Sequence, residues 1–131
     1  MGLFRKSEEK LAVEAAALEE IKRLKTLSTE ELAVVVLPGL GPEFAAPGRH
    51  LRAQQLCEYL LGEFPGLGRM RPLMLMGPVR RALERLEEAG LVSSISYDRS
   101  PVWRITEAGT SALAAGTVED HLAGRAESPT G

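Results

Sequence analysis

The segment from Gly77 to Thr106 constrains the fold of this chain more than any other. Its sequence, GPVRRALERLEEAGLVSSISYDRSPVWRIT, begins with a helical pattern that runs into a glycine and then into two short β-prone runs. Pro78 suits the first position of a helix, because the amide that proline lacks would be unpaired there, and Gly90 can take the left-handed conformation that ends a helix. Helical spacing gives this helix one apolar, buried face, formed by Val79, Ala82, Leu83, Leu86 and Ala89.

A hairpin is predicted directly after the glycine. The run from Leu91 to Tyr97 is β-prone, residues 98–101 supply turn chemistry, and residues 102–105 form a second short run. Strand alternation puts the side chains of Trp103 and Arg104 on opposite sides of the hairpin. Trp103 is interpreted as the apolar anchor that holds the hairpin to the body of the domain, with a base-stacking platform as the alternative.

The pattern RALERLEEAGLV, followed by a short hairpin and by RITEAG at the start of another helix, resembles the recognition helix and wing of winged helix-turn-helix proteins. The similarity is to MarR-like and PadR-like bacterial transcriptional regulators in particular, and it covers residues 77–113 well and residues 28–76 loosely. The resemblance implies a mainly α fold with a small β-hairpin (α+β), a winged helix-turn-helix with N-terminal and C-terminal flanking helices. It also implies binding to double-stranded DNA, a homodimer built through terminal helices, and contact of Arg99 at the hairpin tip with the minor groove or the backbone.

Composition divides the chain into three parts. Residues 1–27 are predicted to form an N-terminal amphipathic helix, since residues 7–27 are rich in Ala, Leu, Glu and Lys and contain no Gly or Pro. Its apolar side needs a partner, either the domain itself or a second subunit, so residues 7–27 are also the predicted surface for a protein partner. Residues 28–116 form the predicted winged-helix domain and residues 117–131 a flexible C-terminal tail, in which VEDHLAG can form one frayed helical turn. The apolar side of the first helix comprises Leu11, Ala15, Leu18, Ile21 and Leu24.

Two further helices are predicted within the domain. Ser28 and Glu31 have the spacing of a capping box, which begins a helix there, although the VVV run that follows fits a short strand equally well. From His50 to Phe64, apolar residues recur at steps of three and four. This spacing predicts an amphipathic helix with Cys57 packed in the core, where burial leaves a thiol inert.

Residues 65–77, PGLGRMRPLMLMG, leave two alternatives open. The interval between Phe64 and Pro78 is longer than the three or four residues, roughly, that join the helices of a tight helix-turn-helix. Either this stretch is an insertion, or Arg71–Met76 is itself a short middle helix, which Pro78 would keep from continuing into the next helix. The four consecutive apolar residues 73–76 are expected in the core, because their exposure would favour association.

The composition argues against several classes of protein. The single cysteine rules out an internal disulfide, and two histidines far apart in sequence give no ligand cluster, so no metal site and no cofactor are predicted. No apolar run is long enough to cross a bilayer and the N-terminus lacks a signal-peptide core, so a cytoplasmic protein without a membrane partner is expected. The chain shows no nucleophile with a base and no paired carboxylates, so it is not expected to be an enzyme and no catalytic residue is assigned.

Charge is distributed unevenly along the chain. The net charge is −2, but residues 49–104 carry nine Lys and Arg against six Asp and Glu, as expected if one face meets phosphate. On the predicted helix, Arg80, Arg81 and Arg85 are the candidate readers of guanine edges, and Glu84 can accept a hydrogen bond from a cytosine amino group. Contacts with the DNA backbone are assigned to Arg69, Arg71, Arg99 and Arg104.

The predicted function is therefore that of a dimeric DNA-binding regulator that acts by occupying its site. The alternative is a winged-helix adaptor that contacts only proteins within a larger assembly. A net charge of −2 favours the adaptor. So does the pairing that an ordinary solvated helix face would show, between Arg80 or Arg81 and Glu84 and between Arg85 and Glu88.

Overall fold

Seven helices and a two-stranded antiparallel sheet occur in residues 2–45, 49–62, 64 and 70–124, which are the residues that the computed structural model describes. In chain order the elements are α1 (Gly2–Thr26), α2 (Thr29–Val36), α3 (Ala53–Leu60), α4 (Met70–Leu73), α5 (Met76–Glu88), β1 (Val92–Tyr97), β2 (Ser100–Ile105), α6 (Glu107–Ala115) and α7 (Val118–Leu122). A short 3₁₀ turn, Leu37–Leu40, follows α2. The fold is mainly helical with one small hairpin, which confirms the predicted α+β composition.

The first helix packs on the rest of the chain with its C-terminal turns. Ile21 and Leu24 are buried in the core, whereas Leu11 is 64% exposed and Ala15 is also at the surface. The apolar stripe predicted for this helix is therefore confirmed in the last turns. Residues 9–16 are exposed or half-buried, so the apolar side chains there have little cover from the chain itself.

Ser28 caps α2 in the way that the sequence predicts. The Ser28 hydroxyl accepts a hydrogen bond from the amide of Glu31 at 3.0 Å, and the Glu31 carboxylate accepts one from the amide of Ser28 at 2.8 Å. This reciprocal pair is the capping box, and it satisfies two amides that the first turn of a helix leaves free. The VVV run takes the helical alternative, with Val36 fully buried at the end of α2.

Helix α3 runs from Ala53 to Leu60, so the prediction of a helix from His50 to Phe64 is wrong in its first three and its last four residues. Leu51 and Trp103 exchange two backbone hydrogen bonds of 2.7 Å each, which hold the chain around Leu51 extended beside β2. Arg52 remains extended as the residue before α3, and its amide donates to the side-chain oxygen of Gln55 at 2.8 Å. A contact that is distant in sequence therefore overrides the local helical pattern.

The stretch before α5 contains a short helix, α4, and of the two alternatives this is the one that the structure adopts. Its bounds differ from the prediction, because Met76 is the first residue of α5. Pro78 is the third residue of α5, where it fits because the first amides of a helix have no partner within it. The placement of Pro78 at the first position is wrong by two residues. Leu75 is fully buried as expected, but its neighbour Met74 is exposed.

The hairpin forms where the sequence predicts it, but the predicted turn at residues 98–101 is too long, because Ser100 and Pro101 belong to β2. Strands β1 and β2 pair antiparallel from Val92 opposite Ile105 to Tyr97 opposite Ser100. The two turn residues, Asp98 and Arg99, have positive φ angles of 52° and 67°. Positive φ at both residues is typical of a type I′ turn, whose twist matches that of the two strands.

A close junction joins the end of α5 to the start of α6. Gly90 ends α5 with a φ of 79°, and the carbonyl of Leu91 accepts a hydrogen bond from the Thr106 amide at 3.0 Å. The Thr106 hydroxyl accepts from the amide of Gly109 at 3.0 Å and donates to the carbonyl of Gly90 at 2.7 Å. A Cβ atom on Gly109 would lie 2.1 Å from the Leu91 carbonyl oxygen, so only glycine fits at this position.

The segment after α6 corrects the predicted tail. Gly116 ends α6 in the left-handed conformation with a φ of 70°. The next residues form α7, in which Val118 and Leu122 are buried in the core, so residues 117–124 are not a flexible tail. Residues 125–131 lie outside the described part of the chain.

The core is aliphatic and lies between α2, α3 and α5, with Trp103 of β2 at its edge. Cys57 is buried there, and burial together with the nearby Glu58 raises the pKa of its thiol to about 12. The predicted packing role of Cys57 is confirmed. The largest fully buried side chains include Ile21, Leu24, Leu32, Val36, Leu37, Leu56, Leu75, Val79, Leu83, Leu86 and Leu91.

Candidate functional site

Helix α5 has one buried side and one exposed side. Val79, Ala82, Leu83 and Leu86 have no exposed surface, which confirms the predicted inner face. The opposite side, which we call the outer face of α5, is exposed and charged. It consists of Arg80, Arg81, Glu84, Glu87 and Glu88.

The two N-terminal arginines of the outer face are available for a partner. Among the described residues, neither Arg80 nor Arg81 has an ion pair, and the pairs with Glu84 that an ordinary solvated helix face would show do not form. A guanidinium nitrogen of Arg81 lies 3.5 Å from the point that a Cβ on Gly77 would occupy. Arg81 therefore extends along the first turn of α5, where glycine leaves the backbone uncovered.

Arg85 does not belong to this exposed group, and its prediction as an outward reader is wrong. Its side chain is 27% exposed, and its Nε lies 3.3 Å from a carboxylate oxygen of Glu30 in α2. The same guanidinium donates a hydrogen bond to the carbonyl of Leu122 in α7 and lies 4.0 Å from Glu88. Arg85 lies on the flank of α5 where α2 and α7 pack, and it joins these three helices.

The hairpin stands beside the other flank of α5. The Ser94 hydroxyl of β1 donates to the Glu87 carboxylate at 2.9 Å. Arg80 lies seven residues, two helical turns, before Glu87 and therefore on the same flank. Arg99, at the tip of the hairpin, is exposed. Arg80, Arg81 and Glu84 on α5 and Arg99 on the adjacent hairpin are thus the predicted residues that the structure keeps exposed in this region.

The remaining predicted residues lie elsewhere. Arg104 is opposite Ser93 in the sheet, and Ser94 is the residue that faces α5. Strand alternation therefore directs Arg104 away from α5, and it lines a cavity beside α6 instead. Arg71 is half-buried in α4, and Arg69 lies outside the described residues.

The face of the hairpin that points away from α5 carries residues that the sequence did not single out. Ile95 is 53% exposed and Tyr97 is 61% exposed on this face. The guanidinium carbon of Arg52 lies 5.9 Å from the centre of the Tyr97 ring, within the range of a cation–π contact. Only the pairing of Leu51 with Trp103 brings Arg52 here, and no local pattern signals that pairing.

Trp103 is 4% exposed, which confirms the anchor interpretation over a base-stacking platform. It packs with the core cluster, and its backbone joins β2 to Leu51. Its indole nitrogen has no hydrogen-bond partner within the described chain. Trp103 therefore supports the site by fixing the base of the hairpin.

No group of three or more His, Cys, Asp or Glu side chains suited to a metal ion is found among the residues with described positions. Within that same part of the chain, no helix combines the length and apolar character needed to cross a bilayer. Comparison with protein-family models, with curated proteins and with solved structures found no match.

Proposed function

We propose that this chain is a winged-helix protein that binds double-stranded DNA, with the first two turns of α5 in the major groove. The observation that carries the proposal is the outer face of α5, where Arg80 and Arg81 are exposed and, among the described residues, have no ion pair. An unpaired guanidinium can bind the O6 and N7 atoms of guanine with two parallel hydrogen bonds. Glu84, exposed on the same face, can accept from the amino group of cytosine.

The arrangement around α5 supports this proposal. A helix that ends at a glycine, a hairpin beside it and a capped helix after it are the features that resemble winged helix-turn-helix proteins, and α5, β1–β2 and α6 have them. Arg99 at the hairpin tip is the proposed contact with the DNA backbone. Glu87 and Glu88 would repel phosphates, so only the N-terminal half of α5 enters the groove in this proposal.

The proposed active form is a homodimer that acts by occupying its site, since one helix and one hairpin cover too little duplex for specific binding. The exposed apolar residues of α1, of which Leu11 is the largest between residues 9 and 26, are the proposed contact between subunits. Sedimentation equilibrium should give a dimer for the natural chain and a monomer for Leu11→Glu. A Leu11→Glu protein that remains dimeric would move the interface away from α1.

A winged-helix adaptor for protein contacts is the second candidate. It is favoured by the apolar pair Ile95 and Tyr97, which lies exposed on the hairpin face away from α5. Exposed apolar neighbours with a charged rim are typical of protein contact surfaces.

The salt dependence of binding to a random-sequence duplex separates the two candidates. DNA binding should weaken steeply with salt, with a log–log slope of about −0.9 for each phosphate contacted. Fluorescence anisotropy of a labelled duplex of about 20 base pairs, from 20 mM salt upwards, measures this slope. Absence of binding at the lowest salt would favour the adaptor.

A pair of double variants tests whether the outer face of α5 carries the binding. Arg80→Ala with Arg81→Ala should weaken duplex binding by more than about tenfold while leaving helicity unchanged. Lys22→Ala with Lys25→Ala is the matched control, because it removes the same charge from exposed positions on α1. Equal losses in the two double variants would contradict the proposed role of α5.

A further inference from the structure

Strand β1 has an open edge. Among the described residues, β2 is the one strand that pairs with β1, and Leu51 covers the far edge of β2. The sequence of β1, VSSISY, contains no charged residue and no proline, which are the residues that natural edge strands use to prevent further pairing. Its second half, from Ile95 to Tyr97, is exposed. Strand β1 can therefore accept another strand.

Two residues of β1 direct their backbone N–H and C=O groups to this edge. Trp103 bonds Leu51 through both of its backbone groups, at 2.7 Å each, so it does not bond Ser94, the residue opposite it in the sheet. The backbone groups of Ser94 therefore point the other way, to the open edge. Hydrogen bonding alternates along antiparallel strands, so those of Ser96 do the same. The residue opposite Ser96 is Pro101, which has no N–H to donate.

The side chains next to the open edge are apolar, and cations lie beside them. Ile95 and Tyr97 are exposed on the hairpin face that points away from α5. The guanidinium of Arg52 lies over the Tyr97 ring, and Arg104 is on the same face, opposite Ser93. Neither arginine has an ion pair within the described residues, and neither strand contains an acidic residue. This face therefore matches a partner strand that carries carboxylates together with an apolar side chain.

A groove of about 300 Å³ lies on the same face, between the hairpin and the residues that lead into α3. Side chains that project onto this face from an added strand can extend into it. The groove has an apolar part and a polar part. The apolar part is lined by Ile95, Tyr97 and Val102, and the polar part by His50, Arg52 and Gln55.

We propose that the open edge of β1 binds an extended acidic peptide segment of a partner protein, which adds to the sheet as an antiparallel strand. The peptide places an apolar side chain against Ile95 and a carboxylate beside Tyr97, next to the guanidinium of Arg52. Backbone pairing along Ser94 and Ser96 supplies affinity, and the side chains supply specificity, as in other cases of β-strand addition. The proposal rests on the protein-contact role of this face and is independent of DNA binding by α5.

A second copy of this chain fits the edge less well than an acidic peptide. Two copies that pair through β1 in antiparallel orientation would carry both Arg52 side chains on the same face of the joint sheet, where like charges repel. A single-stranded nucleic acid also fits less well, because it needs open aromatic rings on which bases stack. On this face Tyr97 is already covered by Arg52, and Ile95 offers no ring.

The peptide acetyl-TETVTET-amide is the probe for this site. In the antiparallel register its first glutamate lies beside Tyr97 and its valine beside Ile95, on the same face of the strand. Titration of the full chain at low salt, followed by ¹H–¹⁵N correlation NMR, should give saturable shifts at the amides of Ser94 and Ser96. Absence of saturable shifts up to about 5 mM peptide would overturn the proposal. Shifts centred on the outer face of α5 would also overturn it.

Two modified peptides separate the backbone contribution from the charge contribution. N-methylation of the two threonines that flank the valine removes the amides that pair with β1, and it should weaken binding by more than about tenfold. Replacement of both glutamates by glutamine should weaken binding by about threefold, which corresponds to exposed ion pairs. An N-methylated peptide that binds as well as its parent would overturn strand addition. Equal affinity of the glutamine peptide would overturn the acidic partner.

Two variants of the chain at Ser96 test the edge from the other side. Ser96→Pro removes an outward amide that the hairpin itself does not use, so the fold should be retained while peptide binding weakens by more than about tenfold. Ser96→Thr is the matched control, because it keeps the amide and should keep the affinity. Equal affinity of the two variants would overturn pairing at this edge.

Arg52→Gln assigns the charge. It should weaken peptide binding by about threefold, and Lys25→Gln, which removes the same charge from an exposed position of α1, should not. If Arg52→Gln weakens duplex DNA binding more than Lys25→Gln does, this face meets phosphate and the proposal is overturned. Peptide binding that meets these expectations supports the proposal whether or not the chain binds duplex DNA.

Two further measurements test the other occupants of the edge. Shifts of the Ser94 and Ser96 amides on dilution of the chain alone would assign the edge to a second copy and overturn the proposal. Tighter binding of an oligothymidylate of the same length than of the peptide would assign this face to single-stranded nucleic acid and overturn it as well. Spectra that do not change with dilution, together with weaker oligothymidylate binding, are the expected results.

Discussion

The two ends of α5 differ in whether their charged side chains bind other parts of the chain. At the C-terminal end, Arg85 binds Glu30 and the carbonyl of Leu122, and Glu87 binds Ser94. At the N-terminal end, Arg80 and Arg81 are exposed and have no ion pair among the described residues. Residues of the same type on one helix therefore have different roles, and the elements that pack alongside decide which role each one takes.

Substitutions at the two ends of α5 should therefore affect different properties: the stability of the fold at the C-terminal end and the binding of a partner at the N-terminal end. Changes at the C-terminal end of α5, including its junction with α6, should lower the free energy of unfolding. Changes at the N-terminal end should leave it nearly unchanged. Urea denaturation followed by circular dichroism measures this free energy, and a constant m-value identifies changes in stability alone.

The largest effect is expected at the junction with α6. Gly109→Ala places a methyl group where the Leu91 carbonyl oxygen lies 2.1 Å away, so the backbone of the junction must move. We expect a loss of about 3 kcal/mol. Gly77→Ala at the other end of α5 is the matched control, because its added methyl meets only the end of Arg81 at 3.5 Å. Similar losses in the two variants would remove the distinction between the two ends.

The reactivity of the buried Cys57 thiol gives an independent measurement of how far Gly109→Ala destabilises the fold. Burial raises the pKa of the Cys57 thiol to about 12, so it stays protonated at pH 8 in the folded chain. A thiol reagent at pH 8 should therefore react with Cys57 only when the core opens. Gly109→Ala should accelerate this reaction strongly and Gly77→Ala should not. Fast labelling of the natural chain would show that the core around α3 opens without unfolding at the junction.

A smaller loss is expected when the cap of α6 is removed. Thr106→Val deletes the hydroxyl that accepts from the Gly109 amide and donates to the Gly90 carbonyl, and we expect a loss of about 1.5 kcal/mol. Thr110→Val, an exposed position of the same helix, is the control and should change the stability by less than about 0.5 kcal/mol. Equal effects would mean that the cap does not stabilise the junction.

Arg85 should contribute less than the cap because its side chain is partly solvated. Arg85→Met keeps the apolar stem and removes the bonds to Glu30 and Leu122, for an expected loss of about 1 kcal/mol after screening by solvent. Arg81→Met, on the exposed face of the same helix, is the comparison and should cost little. Equal losses of unfolding free energy in Arg85→Met and Arg81→Met would contradict the stabilising role of Arg85.

The smallest effect on stability is expected for the proposed DNA contacts. Arg80→Ala with Arg81→Ala should change the free energy of unfolding by less than about 0.5 kcal/mol, since both side chains are exposed and alanine favours helix. The same double variant should lose duplex binding. A large loss of stability would mean that Arg80 and Arg81, like Arg85, stabilise the fold.

Local signals in the sequence were sufficient for much of the fold. The Ser28 capping box, the glycine that ends α5 and the hairpin that follows it each depend on residues that are close in sequence. The apolar face of α5 was also predicted correctly, because its spacing follows from helical geometry. The position of Pro78 was wrong because more than one position of a first turn leaves its amide free.

Contacts between distant residues account for what the sequence could not show. The start of α3 depends on the pairing of Leu51 with Trp103, and the burial of α7 depends on helices far before it in the chain. For the candidate site, the sequence identified Arg80, Arg81 and Arg99 as surface residues, but it could not distinguish them from Arg85. That distinction requires knowing that Glu30 and Leu122 lie beside α5.

The hydrogen bond between the Leu91 carbonyl and the Thr106 amide and the buried Trp103 fix only the base of the hairpin. Because the base is held at the junction of α5 and α6, a tip of another length can be accommodated without moving either helix. The reach of the hairpin can therefore change in evolution, or by grafting, while the helical scaffold stays the same.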